Sequence, residues 1–322
     1  MRRFWICLIV VLVASFGVLG FVGSRIYQLA PPVPERVVTP DGSVVFQGRD
    51  VDDGQDVWRA FGGMELGSIW GHGAYVAPDW TADWLHRELV DVLDQWARAR
   101  RAASYDQLPA EAQASLRDRL TKEYRHNTYD PSTGTITVSP ERARAIESNI
   151  AYYAQLFADG REEYALPKGT VVEPERARAL AAYFFWSAWA AGTDRPGEAI
   201  TYTSNWPHEP LIANRPTADA VVWTGVSILA LLAGIAALGF WHAARRKDDG
   251  PTVLPETDPM AGAKPTPSQL ATVKYFWVVC GLFVLQLLVG VITAHYGVEG
   301  SAFFCIPLAK ILPYSVARTW HV

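Results

Sequence analysis

Three stretches of this sequence constrain its solvent before any fold is considered. Phe4 to Ser24, Ala220 to Trp241 and Tyr275 to Ala294 are uncharged runs of 21, 22 and 20 residues. A bilayer core about 30 Å thick is crossed by a helix of ~20 apolar residues, so each run is long enough to span it. No comparable run lies between Arg25 and Asp219. The expectation is a membrane protein whose first two spans are separated by a large soluble segment.

Orientation follows from the flanking cations. Arg2 and Arg3 precede the first run, and Arg245, Arg246 and Lys247 follow the second. The positive-inside rule puts both flanks in the cytoplasm, so the segment between them is outside. The first run exceeds the ~7–15 apolar residues of a signal peptide and lacks a small-x-small cleavage site, so it reads as an uncleaved anchor. Asp248 to Ser268, rich in Pro, Gly, Asp and Thr, reads as a cytoplasmic connector without a core of its own. The third span returns outward and brings His295 and the apolar loop Ser301 to Leu312 to the outer face. From Pro313 the pattern turns helical again, and the sequence stops at His321-Val322 where a fourth span would start. A single turn does not sustain a helix, so a longer reading frame is expected. The resulting division is an anchor at 1–25, an extracytoplasmic domain at 26–218, a second span at 219–242, a connector at 243–272, and at 273–322 a third span, an outer loop and the start of the next helix.

Within the outer domain, Gly42 to Asp50, Gly134 to Val138 and Ala199 to Thr203 have strand composition. Thr81 to Ala102 places Trp84, Leu85, Leu89, Val92 and Trp96 near a 3.6-residue period, which predicts an amphipathic helix. Pro109 to His126, Pro140 to Asp159 and Pro174 to Gly192 each open with Pro followed by Glu within two residues, a favourable first turn. The prediction is a mostly helical domain with a minor sheet. Trp70, Trp80, Trp84, Tyr183, Phe184, Phe185, Trp186 and Trp189 all fall here, and core packing or membrane contact explains them more simply than a cofactor box.

Charge and cysteine usage exclude several functions. The net charge is −4, and the one basic cluster, Arg98, Arg100 and Arg101, sits where cations complement a helix C-terminus, so nucleic-acid binding has no support. Cys7 and Cys280 lie in apolar runs and Cys305 in a hydrophobic loop, with no C-x-x-C. That excludes both a disulfide framework and covalent c-type haem attachment in the outer domain.

The stretch Phe61-Gly-Gly-Met-Glu-Leu-Gly-Ser-Ile-Trp-Gly-His-Gly-Ala-Tyr-Val-Ala-Pro78 resembles the N-terminal domain of the single-chain, quinol-dependent nitric oxide reductases, and Tyr314-Ser-Val-Ala-Arg-Thr-Trp-His321 fits the same family. The resemblance implies a membrane all-α fold of the haem-copper oxidase superfamily: transmembrane helices plus an extracytoplasmic, mainly helical cytochrome c-like domain lacking haem c. In the two-subunit relative a C-x-x-C-H motif precedes a similar Gly-x-Gly-Ala-Tyr-x-Ala-Pro segment. Here the corresponding residues are Gly63, Met64, Glu65, Leu66 and Gly67, so neither thiols nor an axial histidine are present.

What the resemblance further implies is a denitrification enzyme of the bacterial inner (cytoplasmic) membrane that reduces nitric oxide with electrons from a membrane quinol. Its implied cofactors are low-spin haem b, high-spin haem b3, non-haem iron and a structural calcium. His321 would be an axial ligand of the low-spin haem. An imidazole at the start of a membrane helix is costly unless it binds something, and haem iron is a common reason. Arg318, three residues earlier, would pair with a haem propionate or snorkel at the interface. His295 and Glu299, four residues apart, share one face if the third span's helix continues, and would accept quinol protons with Phe303 as an apolar wall, or else form an interfacial polar pair with no ligand. Tyr75 matches a tyrosine that helps hold the calcium. The residues of the binuclear centre that couples two nitric oxide molecules are not in this sequence, so no catalytic residue is expected here and the segment alone should be inactive. The expected partners are quinol, nitric oxide, the lipid bilayer and the remainder of the catalytic domain, with a homo-oligomer left open. A rival reading is a membrane-anchored extracytoplasmic binding or sensory module.

Overall fold

The computed structural model describes residues 2–74, 76–245, 256, 258, 261–299, 311–312 and 316–317. The chain divides into two compact units, Met1–Pro216 and Thr217–Val322. It is mostly helical, and three of its helices are long and apolar enough to cross a membrane.

The first unit opens with α1 (Arg2–Leu29), whose candidate span is Ile9–Leu29. Its side chains are exposed around the whole circumference, Val10, Val13, Phe16, Leu19 and Phe21 among them. A helix apolar on every side has no stable place in water, and lipid satisfies it.

The soluble part is built around one hidden helix. Strands β1 (Arg36–Val38) and β2 (Val44–Gln47) lead into α2 (Gly48–Ala60), α3 (Gly63–Leu66), a β3–β4 hairpin (Ser68–Ile69, His72–Gly73) and α4 (Trp80–Ala99). Then follow α5 (Ala110–Arg125), β5 (Tyr129–Asp130), β6 (Thr135–Thr137), α6 (Pro140–Asp159) and α7 (Pro174–Gly192). The order β2-β1-β6-β5 forms a small sheet in which only the β1–β6 pair is parallel. Helix α7 runs Ala-Leu-Ala-Ala-Tyr-Phe-Phe-Trp-Ser-Ala-Trp-Ala-Ala with almost no polar residue, and nearly all of it is buried. It packs against α2, α4 and α6. Gly54 permits the closest crossing, since a Cβ there would stand 2.0 Å from the Ala179 carbonyl oxygen.

Helix starts follow local chemistry. Asp79 caps α4 by accepting from the Ala82 amide at 3.0 Å, and Ser139 caps α6 by accepting from the Arg142 amide at 3.3 Å. Pro140 and Pro174 occupy first turns, where a missing N–H costs nothing. Helices α6 and α7 have the bounds the sequence predicts, while α4 ends three residues before the expected Ala102.

Two expected strands are corrected. Gly42 to Asp50 is a strand only over Val44–Gln47, because the Asp50 carboxylate accepts from the Gln47 amide at 2.8 Å and starts α2 at Gly48. Ala199 to Thr203 is not a strand: bends and turns flank a single bridge between Thr201 and Asp194. The Asn205 side chain takes the Thr201 amide at 3.0 Å, and the Asn205 amide returns to the Thr201 hydroxyl at 2.7 Å. Ser204 and Asn205 then reverse the chain with positive φ.

The second unit contains α8 (Ala218–Arg245) and α9 (Pro267–Glu299), with candidate spans Val222–Arg245 and Pro267–Ala294. Both are exposed apolar helices like α1. Val289 and Ala317 are buried together against Ile292 and Leu312.

Candidate functional site

The glycine-rich segment Phe61–Pro78 closes on itself between α2 and α4. Gly62 takes a left-handed conformation that turns the chain out of α2, and α3 follows. Trp70 and Gly71, both at positive φ, make the two-residue turn of the β3–β4 hairpin. Asp79 fastens this hairpin to α4: one carboxylate oxygen accepts from the Ser68 hydroxyl at 2.8 Å and the Gly71 amide at 2.6 Å, while the other caps the helix. The Ala74 and Ala77 amides bond back to the Met64 and Leu66 carbonyls at 2.7 and 2.6 Å.

Aromatic rings fill the inside of this wrap. A Cβ on Gly63 would lie 2.2 Å from the Trp58 ring, and a Cβ on Gly67 would lie 2.3 Å from Nε1 of Trp80 and 2.6 Å from the Pro78 carbonyl oxygen. Trp58 is edge-on to Phe61 and Phe184. Trp80, fully buried, stacks on Phe184 with centroids 5.7 Å apart and meets Phe157 at 5.4 Å. Trp84 stacks on Tyr153 at 5.3 Å. A cysteine at 63 or a histidine at 67 therefore has no room, and the residues present do not fit a covalently attached haem. The domain's histidines His72, His86, His126 and His208 are all exposed, and none enters this core.

The polar interior is an ion pair that sequence reading missed. Glu88 and Arg142 are 1% and 4% exposed and meet at 2.9 Å. Glu88 also accepts from the Tyr124 hydroxyl and the Trp84 indole, each at 2.9 Å, and the Arg142 guanidinium lies 4.0 Å over the Tyr124 ring. Burial opposes the Arg142 charge, but Glu88 and Tyr124 more than compensate and its pKa is raised. Burial and the Glu88 charge push the Tyr124 phenol well above its ordinary value. The signal was available: Glu88 is a charge in the apolar stripe of α4, four residues from both Trp84 and Val92.

A second pair joins α4 to the chain leaving the domain. His86 Nδ1 lies 2.9 Å from the nearly buried Glu209 carboxylate, whose other oxygen accepts from the Leu211 amide at 3.0 Å. The Glu209 hydrogen bond raises the His86 pKa above 6.5 against partial desolvation, with Asp83 adding to the rise and Arg87 opposing it.

Tyr75, Phe303, Arg318 and His321 lie outside the described residues. His295 and Glu299 occupy the last turns of α9, at the spacing expected for one helix face. Among the described residues, no group of three or more His, Cys, Asp or Glu side chains is placed to hold a metal ion.

Residues 34–208, more than half of the chain, match the family model for the cytochrome c-like domain of the NorB nitric oxide reductases. A cyclic nucleotide-gated potassium channel of Mesorhizobium japonicum is 27% identical over 129 residues, which is 40% of this chain and 33% of the channel. The chain thus matches about a third of that relative's length, too little to transfer a fold or a function.

Proposed function

The chain belongs to the NorB nitric oxide reductase family through its cytochrome c-like domain, and from that premise we propose that it is the electron-entry part of a quinol-dependent, single-chain nitric oxide reductase. The enzyme would convert two nitric oxide molecules and one quinol to nitrous oxide, water and quinone. The observation that carries the quinol reading is the closed segment Gly63–Gly67: with Trp58 and Trp80 filling its interior, the domain offers a soluble electron donor no haem c to reduce. Electrons then enter from the membrane.

In this reading His295 and Glu299 bind the quinol hydroxyl and take its protons, and Phe303 covers the ring. An imidazole four residues from a carboxylate on one helix face can act as that base. His321 would hold a low-spin haem b, with Arg318 at a propionate, and when bound that haem would supply one-electron transfer. Tyr75 would contribute to a calcium site. The three apolar helices are long enough to cross a membrane; family membership supports the bacterial inner membrane, and the positive flanks at Arg2, Arg3 and Arg245 support an orientation with the domain outside.

The test uses the enzyme containing this chain, in membranes. Haem staining of a denaturing gel is expected to show no covalently bound haem, and His321→Ala is expected to abolish the low-spin haem b signal in EPR. A stained band, or survival of that signal, overturns the reading.

A further inference from the structure

The first unit carries an aromatic face beside the point where α1 ends. The Trp186 indole donates to the Pro32 carbonyl at 2.9 Å, and Pro32 is three residues past Leu29. The Trp70 ring lies 5.3 Å from that of Trp186, and its own indole is fixed to the Ser187 carbonyl at 2.9 Å. Gly71, next in the chain, abuts Trp206, with its Cβ position 3.2 Å from the indole nitrogen. Trp206 remains 39% exposed and Val33 44% exposed, whereas Trp58, Trp80, Trp84, Trp96 and Trp189 are buried.

Chain length sets the height of this face above the bilayer. The first uncharged run ends at Ser24 and the candidate span at Leu29, so the hydrocarbon boundary lies between Arg25 and Leu29. Leu29, four helical residues past Arg25, stands at most about 6 Å beyond it. The headgroup layer is roughly 5–8 Å deep in each leaflet. Three extended residues cannot carry Pro32 more than about 10 Å farther. Pro32, to which Trp186 is bonded, therefore stands no more than about 16 Å beyond the hydrocarbon, which leaves the neighbouring Trp70 and Trp206 within reach of the headgroup layer. Tryptophan favours this layer, with an apolar ring for the acyl boundary and an N–H for the headgroups; since the Trp70 and Trp186 indoles already donate within the protein, the exposed Trp206 ring is the part of this face that meets lipid. The far end of α4 differs. Thr81, at its start, accepts from the Trp70 amide at 3.3 Å, whereas its last turn lies about 27 Å along the helix and exposes Arg98 and Arg100.

We propose that the face formed by Val33, Trp70 and Trp206, backed by the buried Trp186, rests in the phospholipid headgroup layer beside α1, so that the domain is seated on the bilayer by direct contact as well as by its tether. This inference rests on α1 crossing the membrane and not on the reductase reading, and its test uses no turnover.

The full chain, with Cys7, Cys280 and Cys305 replaced by serine, is labelled with bimane at Trp206→Cys, at Val33→Cys, or at Arg100→Cys as the distant reference. It is reconstituted in phosphatidylcholine vesicles with or without headgroup-spin-labelled phosphatidylcholine. The spin-labelled lipid is expected to quench the labels at 206 and 33 several-fold more than the label at 100, and aqueous iodide is expected to show the reverse order. Strong iodide quenching at 206 and 33 without lipid quenching would put the face in water. Protection from both quenchers would mean that protein covers it, and equal lipid quenching at all three positions would mean that no particular face is seated. Each of these three results overturns the proposal.

Discussion

Replacing Gly67 by alanine tests the packing that excludes haem c, because here a single methyl group has a predictable sign. Gly67 has φ −151 and ψ −163, an extended conformation any residue adopts. At an unstrained glycine, alanine ordinarily stabilises by ~0.4–1 kcal/mol through the unfolded state. Its methyl group would here stand 2.3 Å from the Trp80 nitrogen and 2.6 Å from the Pro78 carbonyl oxygen, more than 1 Å inside ordinary contact at the ring. Neither neighbour is a flexible side-chain end: Trp80 is fully buried and stacked, and the second atom is backbone. Overpacking of this kind costs ~1–3 kcal/mol, so the net expectation is a loss of about 1–2 kcal/mol. For a domain of this size that lowers Tm by roughly 2–8 °C. Near-UV circular dichroism of the full chain in detergent reads the transition. The double variant Gly67→Ala/Trp80→Phe should lose less than the sum of its single changes, since the smaller ring makes room. A neutral or stabilising Gly67→Ala, or additive effects in the cycle, would refute the argument.

Two further predictions use the same melting assay. Glu88→Gln leaves the Arg142 charge buried without its counter-ion and should cost ~3–5 kcal/mol, against which a loss under 1 kcal/mol would mean that water reaches the pair. The His86–Glu209 pair gives a signed pH dependence: because the folded histidine has a raised pKa, its stabilisation is fully present below 6.5 and disappears as pH rises through the folded value. The Tm difference between the native chain and His86→Gln should therefore be largest in acid and vanish in alkali, and a pH-independent difference would contradict the assignment.

How much of this could be read in advance varies from element to element. Helices α6 and α7 were legible to the residue because proline and an acidic first turn are local signals. Helix α2 was hidden behind the strand-prone run Val44-Val45-Phe46, and its cue was the Asp50 three residues after Gln47. At Thr201 the strand propensity of Ile and Thr lost to the reciprocal bonds of Asn205, a competition no propensity scale resolves. The missing thiols at 63 and 66 are plain in the sequence. That Trp58 and Trp80 press against the glycines at 63 and 67 is a tertiary contact, and only the fold reveals it. The buried ion pair is intermediate: Glu88 was conspicuous on an apolar stripe, but its partner Arg142 is 54 residues away.

The most direct test of quinol entry is a comparison of two electron donors in the enzyme containing this chain. His295→Ala and Glu299→Gln remove the proposed base and its partner. Quinol-driven nitric oxide reduction should fall by ~10²–10⁴-fold, the usual cost of losing a positioned base, while reduction driven by an artificial donor that bypasses the site should persist. Unchanged quinol kinetics, or equal loss with both donors, would contradict the assignment of electron entry to this pair.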